Sequence, residues 1–187
     1  MSPLGEITGF RAPGYNTSPA LFAALTDLKY SYDSSRLPSP LYFLLRAAAI
    51  IAYAALGRPS RSLIGSFKAF AGSLAPHKIG GMLELPMACE PLTRVPFFGT
   101  SVTALPPRLR TRLIARSVRT LPYVNFEMHG IDLLDASETP PDLARAQKDL
   151  RVPVKEKMSA FRELFRVLRG ECELSTLRDI ARAEADL

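Results

Sequence analysis

Apolar and polar positions along the chain divide it into short, proline-punctuated segments with different periods. Thr17 or Ser18 offers a helix cap before Pro19, and Ala20-Leu-Phe-Ala-Ala-Leu25 reads as a short helix with its proline in the first turn. Tyr30-Ser-Tyr-Asp33 reads as a strand. The run from Leu41 to Leu56 is the most apolar stretch of the chain, broken only by Arg46 and bounded by Pro38, Pro40, Gly57 and Pro59. It is short of the ~20 apolar residues that a membrane-spanning helix needs. The pattern therefore predicts a packed helix, with a helix lying in a membrane interface as the alternative. Met82-Leu-Glu-Leu-Pro86 alternates like a strand that leaves the core into a rigid, proline-bearing loop.

Pro106 and Pro107 open a helix whose Arg108, Arg112, Arg116 and Arg119 share helical spacing, with Leu109, Leu113 and Val118 left for another face. Tyr123-Val-Asn-Phe-Glu-Met128 predicts a strand that delivers His129 to its end. After an acidic, proline-rich connection, Pro153 opens a helix in which Met158, Phe161, Leu164, Phe165 and Leu168 recur at helical intervals. The loop, helix, strand order of the amino-terminal third suits consecutive βα units.

Composition changes this picture little. Hydrophobic residues make up 47% of the 187 and charged residues 22%, an ordinary globular balance that argues against disorder. The net charge of +6 and an isoelectric point near 9.6 favour anionic partners. The arginine series is read as a solvated helix face and not a nucleic-acid stripe, since no nucleic-acid module accompanies it. Cys89 and Cys172 are too few for a disulfide framework and too far apart for a zinc clip, so free thiols are expected. With no secretory signal in Met-Ser-Pro-Leu-Gly-Glu, the expected location is cytoplasmic.

Three groups of residues point to chemistry. In Gly9-Phe-Arg-Ala-Pro-Gly-Tyr15, Pro13 stiffens the loop beside Arg11 and Gly14 lets backbone approach a ligand. An arginine held this way suits bidentate contact with a carboxylate. Asp33, in Tyr-Ser-Tyr-Asp-Ser-Ser, lies at a strand end and serves equally as a turn cap. His129, in Phe126-Glu-Met-His-Gly-Ile-Asp132, is one of two histidines and suits proton transfer near neutrality. The other, His77, reads as structural. No His-x-x-x-His or Asp-Asp occurs, so no metal ligands are assigned.

Taken in order, these motifs resemble the later motifs of the polysaccharide deacetylase superfamily, carbohydrate esterases that share a nodulation-factor-deacetylase domain. Met82 to Pro86 is similar to that family's Glu-x-Pro strand, and Leu174-Ser-Thr-Leu177 to its closing Phe-x-Thr-Leu turn. The resemblance covers the carboxyl-terminal half of the family's domain, because only eight residues precede Gly9 where the family places its base and metal ligands. It implies an α/β fold: a single partial domain over residues 1–187, the later part of a distorted βα barrel, with a helical insertion around residues 41–75, or about 37–80 at its widest.

The implied function is removal of an acyl group from an amino sugar by hydrolysis of a carbon–nitrogen bond. His129 would protonate the leaving amine, Arg11 would hold the catalytic base, Asp33 would contact Arg11, and Asp132 would orient the imidazole. The N–H after Pro13 would face the oxyanion, with Gly14 and Tyr15 beside the substrate. Glu127 stands where the family has the leucine of its acyl pocket, leaving Phe126 or Met128 to replace it. The resemblance implies a divalent, zinc-type metal in the full family domain and none held by this chain, and so no activity from this chain alone. The implied partner is an N-acylated amino-sugar polymer or a lipid-linked sugar. A non-catalytic sugar-binding or protein-binding module is the other reading, and the 41–56 helix adds a possible peripheral membrane contact.

Overall fold

The computed structural model describes residues 6–57 and 72–185. The chain forms two compact units, Met1–Pro96 with Ser175–Leu187, and Phe97–Leu174.

The first unit is mixed α/β. Its four-stranded sheet has the order β1 (Gly9–Phe10), β2 (Tyr32–Asp33), β4 (Met82–Glu84), β3 (His77–Ile79). β1, β2 and β4 run parallel, and β3 pairs antiparallel with β4 as a hairpin turning at Gly80 and Gly81, both with positive φ. Between β1 and β2 runs α1 (Pro19–Asp27), started by Ser18, whose hydroxyl accepts the Leu21 N–H. Its Phe22 and Leu25 meet Met82 of β4 in an apolar cluster that Phe10, Tyr30 and Ile79 border. The helix and the strands β2 and β4 are as the sequence predicts, whereas β1 falls at the start of the expected Arg11 loop; all these strands are only two or three residues long. A full barrel does not follow from a sheet this small.

α2 (Pro40–Ala55) begins at Ser39, whose side chain accepts the Tyr42 N–H. It is the helix expected from the apolar run, inserted between β2 and β3. Of the rest of the predicted insertion, residues 58–71 lie outside the described residues, and His77–Ile79, within its widest bounds, form β3. α7 (Leu177–Ala185) closes the unit, with Arg178 donating to the Glu6 carbonyl at 2.6 Å. The expected strand turn at Leu174 to Leu177 is instead an irregular approach to this helix.

In the second unit, α3 (Gly99–Ala104) and α4 (Pro107–Thr120) pack on α6 (Val154–Glu171), and α5 (Pro141–Ala146) lies in the connection. The buried stripe of α4 is Arg110, Leu113, Ile114 and Ser117, which shifts the expected apolar face by one position and leaves Leu109 exposed. Arg108, Arg112 and Arg119 are exposed, as a solvated face requires. Arg110, 6% exposed, is used differently: it donates to Glu163 of α6 at 2.6 Å and to the carbonyls of Val102 and Leu105 that end α3. Residues 123–128, where a strand was expected, have no regular structure beyond a single parallel bridge of Glu127 to Phe98.

Candidate functional site

In the first unit the Arg11 loop is fastened to the end of β2 by consecutive serines. Arg11 donates through Nε to the Ser34 carbonyl at 3.0 Å and through Nη2 to Ser34 Oγ at 2.8 Å. Ser34 Oγ in turn donates to the Leu85 carbonyl at 2.8 Å. One residue on, the Ser35 hydroxyl accepts the Ala12 N–H and donates to Asp33 Oδ1, both at 2.7 Å. Asp33 thus acts on the loop through Ser35, while Arg11 engages Ser34. Asp33 is fully buried, so it is a positioning residue.

The loop itself is a 3-10 turn over Pro13–Tyr15, with Gly14 at φ 64° and Tyr15 at φ 59°. Pro13 and Gly14 are exposed, whereas Tyr15 is buried and meets Tyr42 of α2 edge to face. Arg46, the one charge in the apolar helix, donates to the Gly14 carbonyl at 2.8 Å. The helix is therefore docked on the loop by a charge-assisted hydrogen bond and an aromatic pair.

Beside Asp33 across the parallel pair lies Glu84, also fully buried. Glu84 Oε1 accepts the Arg36 N–H at 2.9 Å, while the buried Oε2 accepts from no described donor. Burial, a side-chain hydrogen bond with Asp33 and the charge of Asp33 push the Glu84 carboxyl up to about 9. Two carboxyls in one dry site cannot both ionise cheaply, so Glu84 keeps its proton. The Arg36 side chain lies over the Phe22 ring, 5.7 Å from its centre, in the wall of a cleft of about 550 Å³ formed with Thr17, Ser18 and Ile79.

In the second unit His129 presents an exposed ring, with 64% of the side chain accessible, and Nε2 lies 3.0 Å from Glu127 Oε1. The carboxylate beside the imidazole is thus Glu127. Asp132, expected there, instead accepts the His129 backbone N–H at 2.8 Å and closes a capping box on the turn Gly130–Leu133. Asp132 is buried against the backbone of Gly99: a Cβ at residue 99 would stand 2.1 Å from Asp132 Oδ2. Lys157 of α6, 1% exposed, holds the same turn by donating to the carbonyls of Leu134 at 2.7 Å and Ile131 at 3.3 Å. Phe126 packs edge-on against Phe161 and Phe165 of α6, and Met128 is half-buried.

Gly99→Ala will consequently expel Asp132 from its cap. The expected cost is roughly 1–3 kcal/mol, as for other overpacked sites, with faster amide exchange at His129. Unchanged exchange at His129 and an unchanged urea midpoint would refute the tight seat inferred for Asp132.

The structure therefore groups Arg11, Pro13, Gly14, Tyr15 and Asp33 in one unit and Phe126, Met128, His129 and Asp132 in the other. The residues missed by sequence reasoning are Glu84, Glu127 as the ring partner, and Lys157. Lys157 had a visible signal, since it falls on the stripe completed by Ala160, Phe161, Leu164 and Leu168. His77 donates or accepts only locally, Nδ1 lying 3.0 Å from the Ala75 carbonyl. Cys89 and Cys172 are free, and burial pushes the Cys89 thiol up to about 12, far from a reactive thiolate. Among the described residues no three His, Cys, Asp or Glu come together in a way that could hold a metal ion. No family model, curated protein or solved structure matches the chain.

Proposed function

We propose that this chain is the proton-donating part of a hydrolase that removes an acyl group from an amino sugar, built as the later part of a distorted βα barrel. The observation that carries this reading is the exposed His129 ring with the Glu127 carboxylate at 3.0 Å and a backbone fixed by Asp132. Hydrolysis adds water across the amide, breaks the C–N bond and leaves an amine that must take up a proton. The exposed ring, 3.0 Å from the Glu127 carboxylate, is placed to pass that proton on.

Among the described residues no set of ligands fits the zinc-type ion of the resembled family. This chain's own contribution is the proton donor. Its substrate class is an N-acylated amino-sugar polymer or lipid-linked sugar.

Titration with N-acetylglucosamine oligomers tests the reading without requiring turnover. Ring signals of His129, assigned by their loss in His129→Gln, should move with the acetylated oligomers and stay in place with fully deacetylated ones. Equal response to both, or none to either, would count against an acyl-recognising site. Where acetate release can be followed, His129→Ala should lower turnover by roughly 100-fold or more if the ring is the general acid.

A further inference from the structure

The side of α2 that carries Tyr42, Phe43 and Arg46 is spent on its own unit, through the Tyr15 contact, the burial of Phe43 and the bond to Gly14. The remaining surface is apolar. Leu41, Leu44, Leu45, Ile51, Tyr53 and Leu56 are all exposed, Leu44 and Ile51 at 67% each and Leu56 at 74%. Every residue from 51 to 57 is exposed, and alanine fills most of the positions between the large side chains. Since the guanidinium of Arg46 is turned to Gly14, this surface has no charge of its own. Contiguous apolar exposure of this kind marks a contact surface.

Charge identifies the occupant. The fifty residues from Ser34 to Leu83 contain no Asp or Glu, yet include Arg36, Arg46, Arg58, Arg61, Lys68 and Lys78. Two of these arginines follow the helix almost at once, in Gly57-Arg-Pro-Ser-Arg61. A second copy seated on α2 would set one basic stretch against another. An anionic surface is instead complementary in sign, and an apolar stripe flanked by arginines is the pattern of helices that lie in a lipid interface. At 1.5 Å per residue the helix is about 24 Å long, less than the ~30 Å hydrocarbon core. No described helix is long and apolar enough to cross a membrane.

We infer that α2 is a peripheral docking helix for anionic phospholipid bilayers, lying in the interface with Leu44, Leu45, Ile51 and Leu56 inserted. This holds whether or not the chain hydrolyses an amino sugar. The test is flotation of the full chain with phosphatidylcholine vesicles with and without phosphatidylglycerol. The wild-type chain should float with anionic vesicles and bind neutral ones at least tenfold more weakly, since each basic residue near the surface contributes about fivefold. The Leu44→Glu/Leu45→Glu/Ile51→Glu variant should stay in solution while keeping its circular dichroism spectrum. If that variant is unfolded, the milder Leu44→Gln/Ile51→Gln pair should weaken flotation in graded fashion. Absence of flotation with anionic vesicles, or unchanged flotation of folded variants, would overturn the inference. So would a dimer that the glutamates abolish in a chain that never floats, because a second copy would then cover the helix.

Discussion

Glu84→Gln will be more stable than the parent protein at alkaline pH and nearly equal to it near pH 5. The Glu84 carboxyl titrates near its ordinary 4.5 in the unfolded chain and near 9 in the fold, chiefly because of burial and then because of Asp33. Between those values the folded state holds a proton that the unfolded state has released. Stability contributed by Glu84 is therefore fully present below pH 4.5, falls as pH rises, and is lost once the folded carboxyl ionises near pH 9. The limiting slope is about 1.36 kcal/mol per pH unit, giving a loss of several kcal/mol and at most about 6.

Glutamine cannot titrate. Its amide is the neutral isostere of the protonated carboxyl, and its oxygen keeps the Arg36 N–H. Urea unfolding of the first unit between pH 5 and pH 10 should show a falling midpoint in the parent and a flat one in the variant. Parallel curves would mean that Glu84 is ionised in the fold. Asp135 works at the other end of the scale: the Ser137 hydroxyl, then the N–H groups of Val154 and Ser137, hold it near 2, so its contribution is lost only in acid and leaves the Glu84 window clear.

A comparably large effect is expected from Lys157→Met. The substitution keeps the length of the stem but strips the Leu134 carbonyl of its donor, while the Ile131 carbonyl loses Lys157 and keeps the Leu134 N–H. Leaving one such group unsatisfied costs about 1–3 kcal/mol, and a loss of that size is expected for the second unit. The turn after His129 should loosen with it. Faster exchange of the His129 and Asp132 amides, together with a lower urea midpoint, would confirm the link. A stability loss that leaves those amides protected would confine Lys157 to the core and separate it from the site.

These two residues show where sequence patterns carry information and where they stop. Helix starts were legible because proline and serine act locally: Ser18 before Pro19, Ser39 before Pro40, and Pro107 and Pro153 at the later helices. Helix faces were legible to within a position. On α4 the burial of Arg110 moved the inner stripe, because a guanidinium can cap α3 and pair with Glu163 where an aliphatic residue was expected. β4 was legible from its alternation and β2 from its composition, whereas β1, two residues long, contains too little alternation to reveal a period. The segment at 123–128 alternates, yet pairs only once, because pairing depends on a partner that local pattern does not specify.

Asp33 and Glu84 lie far apart in the chain, and nothing short of the sheet register reveals that their carboxyls meet. The Arg11 motif led to the correct neighbourhood, since Ser34 and Ser35 follow Asp33 directly. It named Asp33 as the contact of Arg11, whereas Arg11 bonds Ser34 and Asp33 reaches the loop through Ser35.

That register also sets how the first unit can vary in length. β2 and β4 are joined side by side by Leu85 N–H to the Asp33 carbonyl at 2.8 Å and by the Ser34 hydroxyl to the Leu85 carbonyl. The long stretch between them is thus a closed loop anchored at both ends. Closing such a loop costs entropy that grows only logarithmically, about 0.6 kcal/mol for each doubling of its length. Lengthening or shortening the chain beyond α2 by several residues should therefore leave the sheet almost unaffected. Any penalty should come from the Tyr42 and Arg46 contacts, if the helix is drawn off the loop. The joint between β2 and β4 makes the region between them a place where this fold can gain or lose residues at little thermodynamic cost.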